Sequence, residues 1–250
     1  KGDDLFLSAN GAAQSVARAG CLANCRPSIQ YSGSMTDESA LRGCRVAIAG
    51  AGLAGLQISD HLKRRGIDYT VYEKAEEVGG TWRDNTFPGL FVDLLSRQYE
   101  FPFAPNYEWS RRFAPGAEIQ AYLLRVVRER GLREAIRFNE EIVEAKFEAG
   151  KWRILTSRGR TDVADAFVCA TGFLSIPVYP EIDGRDSFAG PSFHSARWDH
   201  SVAIEGKHWG IIGGGASGVQ ITEALAFMDC QVTQFIRRAQ WVQIRENPYA

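Results

Sequence analysis

Residues 45–73 read RVAIAGAGLAGLQISDHLKRRGIDYTVYE, and this stretch decides the fold. It begins with the short apolar run RVAIAG, which ends in glycine and is typical of a buried strand. Leu53, Leu56 and Leu62 follow at helical spacing, and the β-rich run DYTVYE closes the stretch. Strand, glycine turn, helix and strand together predict one βαβ unit with parallel strands.

The turn of this unit carries the pattern Gly50-x-Gly52-x-x-Gly55, which is expected of a dinucleotide-binding turn. Its first glycine permits the tight turn, its second lets a pyrophosphate approach the backbone, and its third lets helix and strand pack closely. Glu73 closes the second strand, where a carboxylate can accept hydrogen bonds from ribose hydroxyls and would repel a 2′-phosphate. We therefore expect FAD or NAD here rather than NADP. A plain turn with a solvated glutamate is the alternative.

A second βαβ unit follows in the runs HWGIIGGG, ASGVQITEALAFM and QVTQFIRR. Its last run ends in Arg237 and Arg238 instead of an acid, and a guanidinium can pair in bidentate fashion with the 2′-phosphate of NADPH. We therefore predict NADPH at this unit, with solvated surface charge as the alternative; Ser217 is also expected to cap the helix. The predicted contacts in the turn are Gly213, Gly214, Gly215, Ala216, Ser217 and Gly218.

The rest of the chain is divided around these two units. A helix is expected over 117–131, a hairpin over 140–156 turning near Gly150, and a buried strand in DAFVCATG. The predicted domains are an N-terminal extension (1–42), the first part of an FAD-binding domain (43–175), a linker (176–205) and the first part of an NADP-binding domain (206–250).

Composition excludes several classes of protein. The net charge is −1, so nucleic acid and anionic membranes are not expected as partners, and no apolar run is long enough to span a bilayer. The five cysteines form neither a disulfide framework nor a C-x-x-C redox pair, and Cys44, Cys169 and Cys230 are interpreted as small core residues. We expect a reducing, cytoplasmic location.

A more specific pattern lies between the two units, in FAGPSFHSARWD. Phe188-x-Gly190-x-x-x-His194-x-x-x-Trp198-Asp199 resembles the fingerprint of Baeyer–Villiger monooxygenases, which are class B flavoprotein monooxygenases, at the position expected for it. Related flavin monooxygenases that oxygenate nitrogen or sulfur usually lack the tryptophan. The resemblance favours the Baeyer–Villiger class, and His194 is interpreted as a structural residue of the linker rather than a proton-transfer group.

Other segments share the resemblance, which covers about residues 43–245. They are the GGTW loop at 79–82, the proline-glycine loop at 88–93 that ends in an aspartate, and the ATG segment at 170–172. Phe91 stands where the family often has arginine, so one expected polar contact to NADPH is missing. Arg238-Ala239 replaces the Thr-Pro that often follows the family's phosphate-binding arginine.

The resemblance implies an α/β fold with two Rossmann-like dinucleotide-binding domains, the NADP domain being inserted in the FAD domain. It also implies that the fold is incomplete in this chain, so we expect a second polypeptide or a C-terminal half to complete the FAD domain. Asp93 is the implied catalytic residue, because the family's carboxylate helps to position an active-site arginine. The implied FAD contacts are Gly50, Gly52, Gly55, Glu73, Thr81, Trp82, Asp93, Tyr99 and, through its backbone, Ile142.

The implied activity is that of an FAD- and NADPH-dependent monooxygenase, which inserts one oxygen atom of O₂ into a ketone through a C4a-peroxyflavin to give an ester or lactone. Two alternatives stay open: an N- or S-oxygenating flavin monooxygenase, and a non-catalytic nucleotide-binding subunit. A reductase of the disulfide type is disfavoured, because no redox cysteine pair lies near the first helix.

Overall fold

The computed structural model describes residues 43–242. The predicted extension at 1–42 and the segment after 242 lie outside the described residues. In chain order the elements are β1 (Arg45–Ala49), α1 (Leu53–Arg64), β2 (Asp68–Tyr72), α2 (Thr81–Asp84), α3 (Gly116–Arg130), β3 (Ile136–Arg137), β4 (Ile142–Glu148), β5 (Lys151–Thr156), β6 (Thr161–Ala164), β7 (Ala166–Cys169), β8 (His208–Ile212), α4 (Ala216–Ala226) and β9 (Gln231–Phe235).

The described residues form two compact units. The first compact unit contains residues 43–80 and 126–176, and the second contains 81–125 and 177–242. Residues 81–125, expected in the FAD-binding domain, thus group with the second βαβ unit. The predicted domain boundaries stay a prediction.

The first compact unit contains a four-stranded sheet in the order β3-β2-β1-β7. Its strands are all parallel, as predicted for the βαβ unit. The run that begins this unit is apolar because β1 is central: Ala47 is 1% exposed and Ile48 is fully buried. Leu56 of α1 and Val71 of β2 are also fully buried, so the helical and strand periodicities both point their apolar residues into the core.

A second sheet in this unit is antiparallel and has the order β4-β5-β6. The predicted hairpin is confirmed: β4 and β5 turn through Ala149 and Gly150, whose φ angles are 49° and 79°. The strand β6 was not predicted, because its short sequence TDVA lacks an apolar run. Ile154 and Ala164 pack with Ala47 and Tyr72 of the parallel sheet, and this contact joins the two sheets.

The second compact unit contains the second βαβ unit. Strands β8 and β9 pair in parallel, as predicted, and α4 packs against both. Their core includes Ile211, Ile221, Leu225 and Phe87. Phe87 precedes the proline-glycine loop, so that loop is part of this core.

Burial corrects the interpretation of the cysteines as small core residues. Cys169, interpreted as a core residue, is exposed at the end of β7, whose burial pattern includes no fully buried residue. Cys44 and Cys230 are only partly buried.

Within residues 43–242, no helix has both the length and the apolar character needed to cross a membrane.

Candidate functional site: two glycine turns and their flanking strands

The first glycine turn, residues 50–55, begins with a residue that must be glycine. Gly50 has a φ of 101°, and a Cβ there would lie 2.6 Å from the carbonyl oxygen of Ala170. Its N–H donates to Tyr72 O at 2.8 Å, so the turn leaves β1 while still bonded to β2. The tight turn predicted for the first glycine is therefore present.

The other two glycines of this turn have different surroundings. A Cβ on Gly55 would overlap the carbonyl oxygen of Gly50, which explains how α1 packs so close to β1. A Cβ on Gly52 would find only Gly80 Cα, at 3.9 Å. Gly52 is also the N-cap of α1 and makes no side-chain cap bond. The helix N-terminus thus presents bare backbone, which fits a pyrophosphate.

Glu73 follows β2 and turns back onto the glycine turn. Its side chain is buried, its Oε2 accepts from Ala51 N at 2.8 Å, and its Oε1 accepts from Ala75 N at 2.9 Å. A carboxylate oxygen can accept more than one hydrogen bond, so ribose hydroxyls could share this side chain with the turn. Glu140 N donates to Glu73 O at 2.9 Å, and Ile142 begins β4 two residues later, in the same compact unit.

The second glycine turn, residues 213–218, repeats the geometry. Gly213 has a φ of 127°, and a Cβ on Gly218 would lie 2.5 Å from Gly213 O. A Cβ on Gly215 would meet nothing within 4 Å. Gln234 Nε2 donates to Gly213 O at 2.9 Å, a contact that sequence reasoning missed because no motif marks it.

The prediction that Ser217 caps the helix is wrong. The N-cap of α4 is Gly215, without a side-chain cap bond. The helix begins at Ala216, and Ser217 is its second residue. The helix therefore begins with bare backbone, as α1 does, which fits an anion better than a hydroxyl cap does.

Strand register shows how the two turns differ. The last pair of the first unit is Ala49 with Tyr72, so Glu73 lies beside the glycine that begins the turn. In the second βαβ unit the last residue pair between the strands is Ile212 with Phe235. The residue equivalent to Glu73 is therefore Ile236. An apolar side chain thus replaces the carboxylate. Arg237 and Arg238 come next, and both are exposed.

Four predicted FAD contacts lie in the second compact unit, away from the first glycine turn in sequence. The Trp82 ring meets the Tyr99 ring edge-on, with centroids 5.2 Å apart, and Tyr99 OH donates to Asp93 Oδ1 at 3.3 Å. Burial, and then the charge of Asp93, raise the pKa of Tyr99 to about 12, so the hydroxyl keeps its proton. Asp93 is itself exposed, and Thr81 is the exposed first residue of α2.

The motif of residues 188–199 packs on the second sheet through its tryptophan. Trp198 stacks on Trp209 of β8, with centroids 5.4 Å apart and planes 12° from parallel. His194 caps a short 3₁₀ helix, since its Nδ1 accepts from Ala196 N at 3.1 Å. Asp199 Oδ1 accepts from Ser201 N at 2.9 Å, which is a local turn contact.

The remaining motif residues, Phe188 and Gly190, lie next to each other. Phe188 is 65% exposed, and a Cβ on Gly190 would lie 2.7 Å from an atom of its ring. They therefore belong to the surface of the second compact unit. Within residues 43–242, no group of three or more His, Cys, Asp or Glu side chains is arranged to hold a metal ion.

The comparison with protein families decides the classification. The family model described as pyridine nucleotide-disulphide oxidoreductase matches residues 47–250. The chain belongs to this family.

The curated proteins that resemble the chain include monooxygenases. An uncharacterised monooxygenase of Mycobacterium tuberculosis (strain ATCC 25618 / H37Rv) is 46% identical over 204 residues, which are 81% of this chain and 41% of the relative. A Baeyer–Villiger monooxygenase of Streptomyces coelicolor is 45% identical over 204 residues, covering 80% and 39%. The resemblance predicted from the motifs is confirmed by these relatives.

A solved structure that contains FAD and NADP has the same fold. The crystal structure of OTEMO in complex with FAD and NADP has a TM-score of 0.73 and 32% identity, and the match covers 80% of this chain and 40% of that one. The α/β fold of two Rossmann-like units is thereby confirmed. The chain spans about 41% of the length of the first relatives it matches.

Proposed function

We propose that this chain forms the FAD- and NADPH-binding part of a flavin-dependent monooxygenase of the Baeyer–Villiger type, which converts a ketone to an ester or lactone. One observation supports the proposal above all: the register places a carboxylate, Glu73, beside the first glycine turn but an apolar residue, Ile236, beside the second. Arginines follow only at the second turn. The first turn thus suits a bare ribose and the second a phosphorylated one.

The residues of the first turn fit FAD. The open backbone around Gly52 and the uncapped start of α1 would receive the pyrophosphate. Glu73 would accept hydrogen bonds from the ribose, while its bond from Ala51 N keeps the turn in shape. The backbone of Ile142 lies on the segment that follows Glu140, which is bonded to Glu73 O, and we propose that it lines the adenine.

The residues of the second turn fit NADPH. Its glycines leave the start of α4 open to a pyrophosphate, since a Cβ on Gly215 would meet nothing within 4 Å. Arg237 and Arg238 are exposed after β9, and either guanidinium can pair with a 2′-phosphate through two parallel hydrogen bonds. No carboxylate stands at position 236 to repel that phosphate.

Bound FAD would supply the redox chemistry, taking a hydride from NADPH and activating O₂. The chain's own part is to hold charge and orientation. Tyr99 keeps its proton, donates to Asp93 Oδ1 and so orients that carboxylate. The exposed Asp93 keeps acceptor capacity for a cationic side chain, which the resemblance implies to be an arginine. Such a cation stabilises the oxyanion that forms when a carbonyl is attacked.

The relatives support both the proposed cofactors and the proposal that a further part completes the FAD domain. OTEMO is a complex with FAD and NADP, and one relative is named a Baeyer–Villiger monooxygenase. Because those proteins are longer than this chain, we propose that a C-terminal half or a second polypeptide completes the FAD domain. The predicted cytoplasmic location stays a prediction.

The test uses the complete enzyme that contains this chain. Anaerobic addition of NADPH should bleach a bound flavin, and NADH should do so much more slowly. Aerobic turnover with a cyclic ketone and, separately, with an aryl sulfide should give mainly the lactone. A flavin that stays oxidised under NADPH would refute the proposal. Oxygenation of the sulfide alone would favour the N- or S-oxygenating class, whose sequences usually lack the tryptophan found here at position 198.

A further inference from the structure

The proline-glycine loop at 88–93 is held between two partners, both within the second compact unit. On one side it pairs with residues 114–116: Phe91 forms an antiparallel bridge with Pro115, Val92 N donates to Ala114 O, and Gly116 N donates to Leu90 O. Backbone groups of successive strand residues point to opposite sides. The N–H and C=O of Phe91 therefore face away from this bridge.

On that other side they meet one amide side chain, that of Gln220 in α4. Gln220 Nε2 donates to Phe91 O at 2.9 Å, and Gln220 Oε1 accepts from Phe91 N at 3.4 Å. A single side chain thus takes the place of a neighbouring strand. Glutamine fits because its amide carries one donor and one acceptor group on the same plane.

The contact forms because the backbone of the loop approaches the backbone of α4 closely. Gly89 has a φ of 76°, and a Cβ there would lie 2.7 Å from both Gln220 O and the Ala224 side chain. Leu90 also packs against the core that contains Ile221 and Leu225 of α4. The loop is thus docked on the helix whose N-terminus is the second glycine turn.

We propose that Gln220 is a positioning residue, which fixes the loop that carries Asp93 to the helix that would bind the NADPH pyrophosphate. Asp93 is two residues beyond the clamped Phe91, so a shift of the loop moves its carboxylate. This inference rests on the proposed function, in which Asp93 serves the flavin. Gln220 touches neither cofactor in the proposal and acts only through the backbone of Phe91.

The first measurement tests the contact between Gln220 and Phe91 and does not depend on enzyme activity. In the complete FAD-loaded enzyme, Gln220→Leu removes the acceptor of the Phe91 N–H, so hydrogen–deuterium exchange at Phe91 should be about tenfold faster. The control is Glu223→Gln, an exposed carboxylate-to-amide change three residues along the same helix, which should exchange like the wild type. Unchanged exchange in Gln220→Leu overturns the inference.

The second measurement tests positioning. Anaerobic flavin reduction by NADPH should be about tenfold slower in Gln220→Leu at every pH, with the NADPH dissociation constant changed less than about twofold. Gln220→Glu should be equally slow at high pH, because a carboxylate cannot donate to Phe91 O. Its rate relative to wild type should recover as the pH falls and the carboxyl regains a proton.

A merely structural role would give no such recovery, so Gln220→Glu that stays slow at low pH overturns the positioning role. Wild-type reduction rates in Gln220→Leu do the same. If the wild type and Glu223→Gln are not reduced by NADPH at all, the proposed function has failed, and the exchange measurement still decides whether Gln220 holds the loop.

Discussion

The indole of Trp198 lies flat on the indole of Trp209, with ring centroids 5.4 Å apart and planes 12° from parallel. Phe193 meets both rings edge-on, at 5.2 Å and 6.0 Å. Trp209 belongs to β8, so the stack fastens the motif of residues 188–199 to the sheet that begins the second glycine turn. The tryptophan that distinguishes the predicted class is therefore a packing residue of the second compact unit.

Replacing Trp198 should destabilise the protein, because the substitution removes a stacked aromatic surface and leaves a cavity. We expect Trp198→Ala to lower the free energy of unfolding by about 2 kcal/mol, less than for a fully buried tryptophan. Urea unfolding followed by far-UV circular dichroism measures the change. The matched control is Trp241→Ala, whose side chain is fully exposed at 103% of the reference area. Equal stability of the two variants would contradict the packing role.

Glu73 should govern FAD affinity through its charge. In Glu73→Gln an amide replaces a carboxylate that accepts from Ala51 N, so at least one strong acceptor is lost both for the turn and for the ribose. We expect FAD to bind about tenfold more weakly or worse. Titration of the apoprotein with FAD, followed by flavin fluorescence, gives the dissociation constant. Glu76→Gln, an exposed neighbour, serves as control and should bind FAD normally. Equal affinities in the two variants would argue against a ribose at Glu73.

Much of this architecture could be predicted because it is encoded locally. The glycine spacing of each turn, the apolar runs of β1 and β8, and the hairpin at Gly150 are patterns within a few residues of one another, and the structure confirms all of them. The swap of Glu73 for Ile236 at equivalent positions was only partly visible in the sequence. The sequence shows the arginines, but only the strand register shows that Ile236 is the residue at the position of the acid.

The parts that sequence reasoning missed depend on pairing between distant residues. Gln220 and Phe91 are 129 positions apart, and neither the loop nor the helix carries a periodicity that predicts their contact. The prediction of a cap at Ser217 follows from residue type alone, whereas the N-cap is Gly215, two residues earlier.

Arg237 and Arg238 should control the choice between NADPH and NADH. Both are exposed after β9, where a 2′-phosphate would make charge-assisted hydrogen bonds. We expect the double change Arg237→Ala with Arg238→Ala to raise the KM for NADPH by roughly 10- to 100-fold. The KM for NADH should change little, since NADH has no 2′-phosphate.

Steady-state NADPH and NADH oxidation by the complete enzyme checks this selectivity. Lys207→Ala removes an exposed positive charge from the same compact unit and is the control for a general electrostatic effect. If the KM values for NADPH and NADH rose equally in the double variant, the arginines would not be recognising the 2′-phosphate. If Lys207→Ala reproduced the selective loss, net charge rather than bidentate pairing would be the cause.

His194 should make stability depend on pH. Burial, and then the nearby charge of Arg197, lower the pKa of His194 from its ordinary value of 6.5. The neutral ring is also the form that caps the 3₁₀ helix, because Nδ1 must be unprotonated to accept from Ala196 N. A histidine with a lowered folded-state pKa binds fewer protons than it does in the unfolded chain. Stability is therefore fully present above the unfolded pKa and is lost as the pH falls below it.

His194→Asn separates this effect from the general acid sensitivity of the protein. Asparagine is a good N-cap, so it should retain a side-chain acceptor for Ala196 N while carrying no titratable group. Urea unfolding at about pH 5 and about pH 8 should then show a smaller stability difference for the variant than for the wild type. Equal pH dependence in the two proteins would mean that folding does not lower the pKa of His194. A larger pH dependence in the variant would have the opposite sign to that expected for a half-buried imidazole that accepts the cap hydrogen bond.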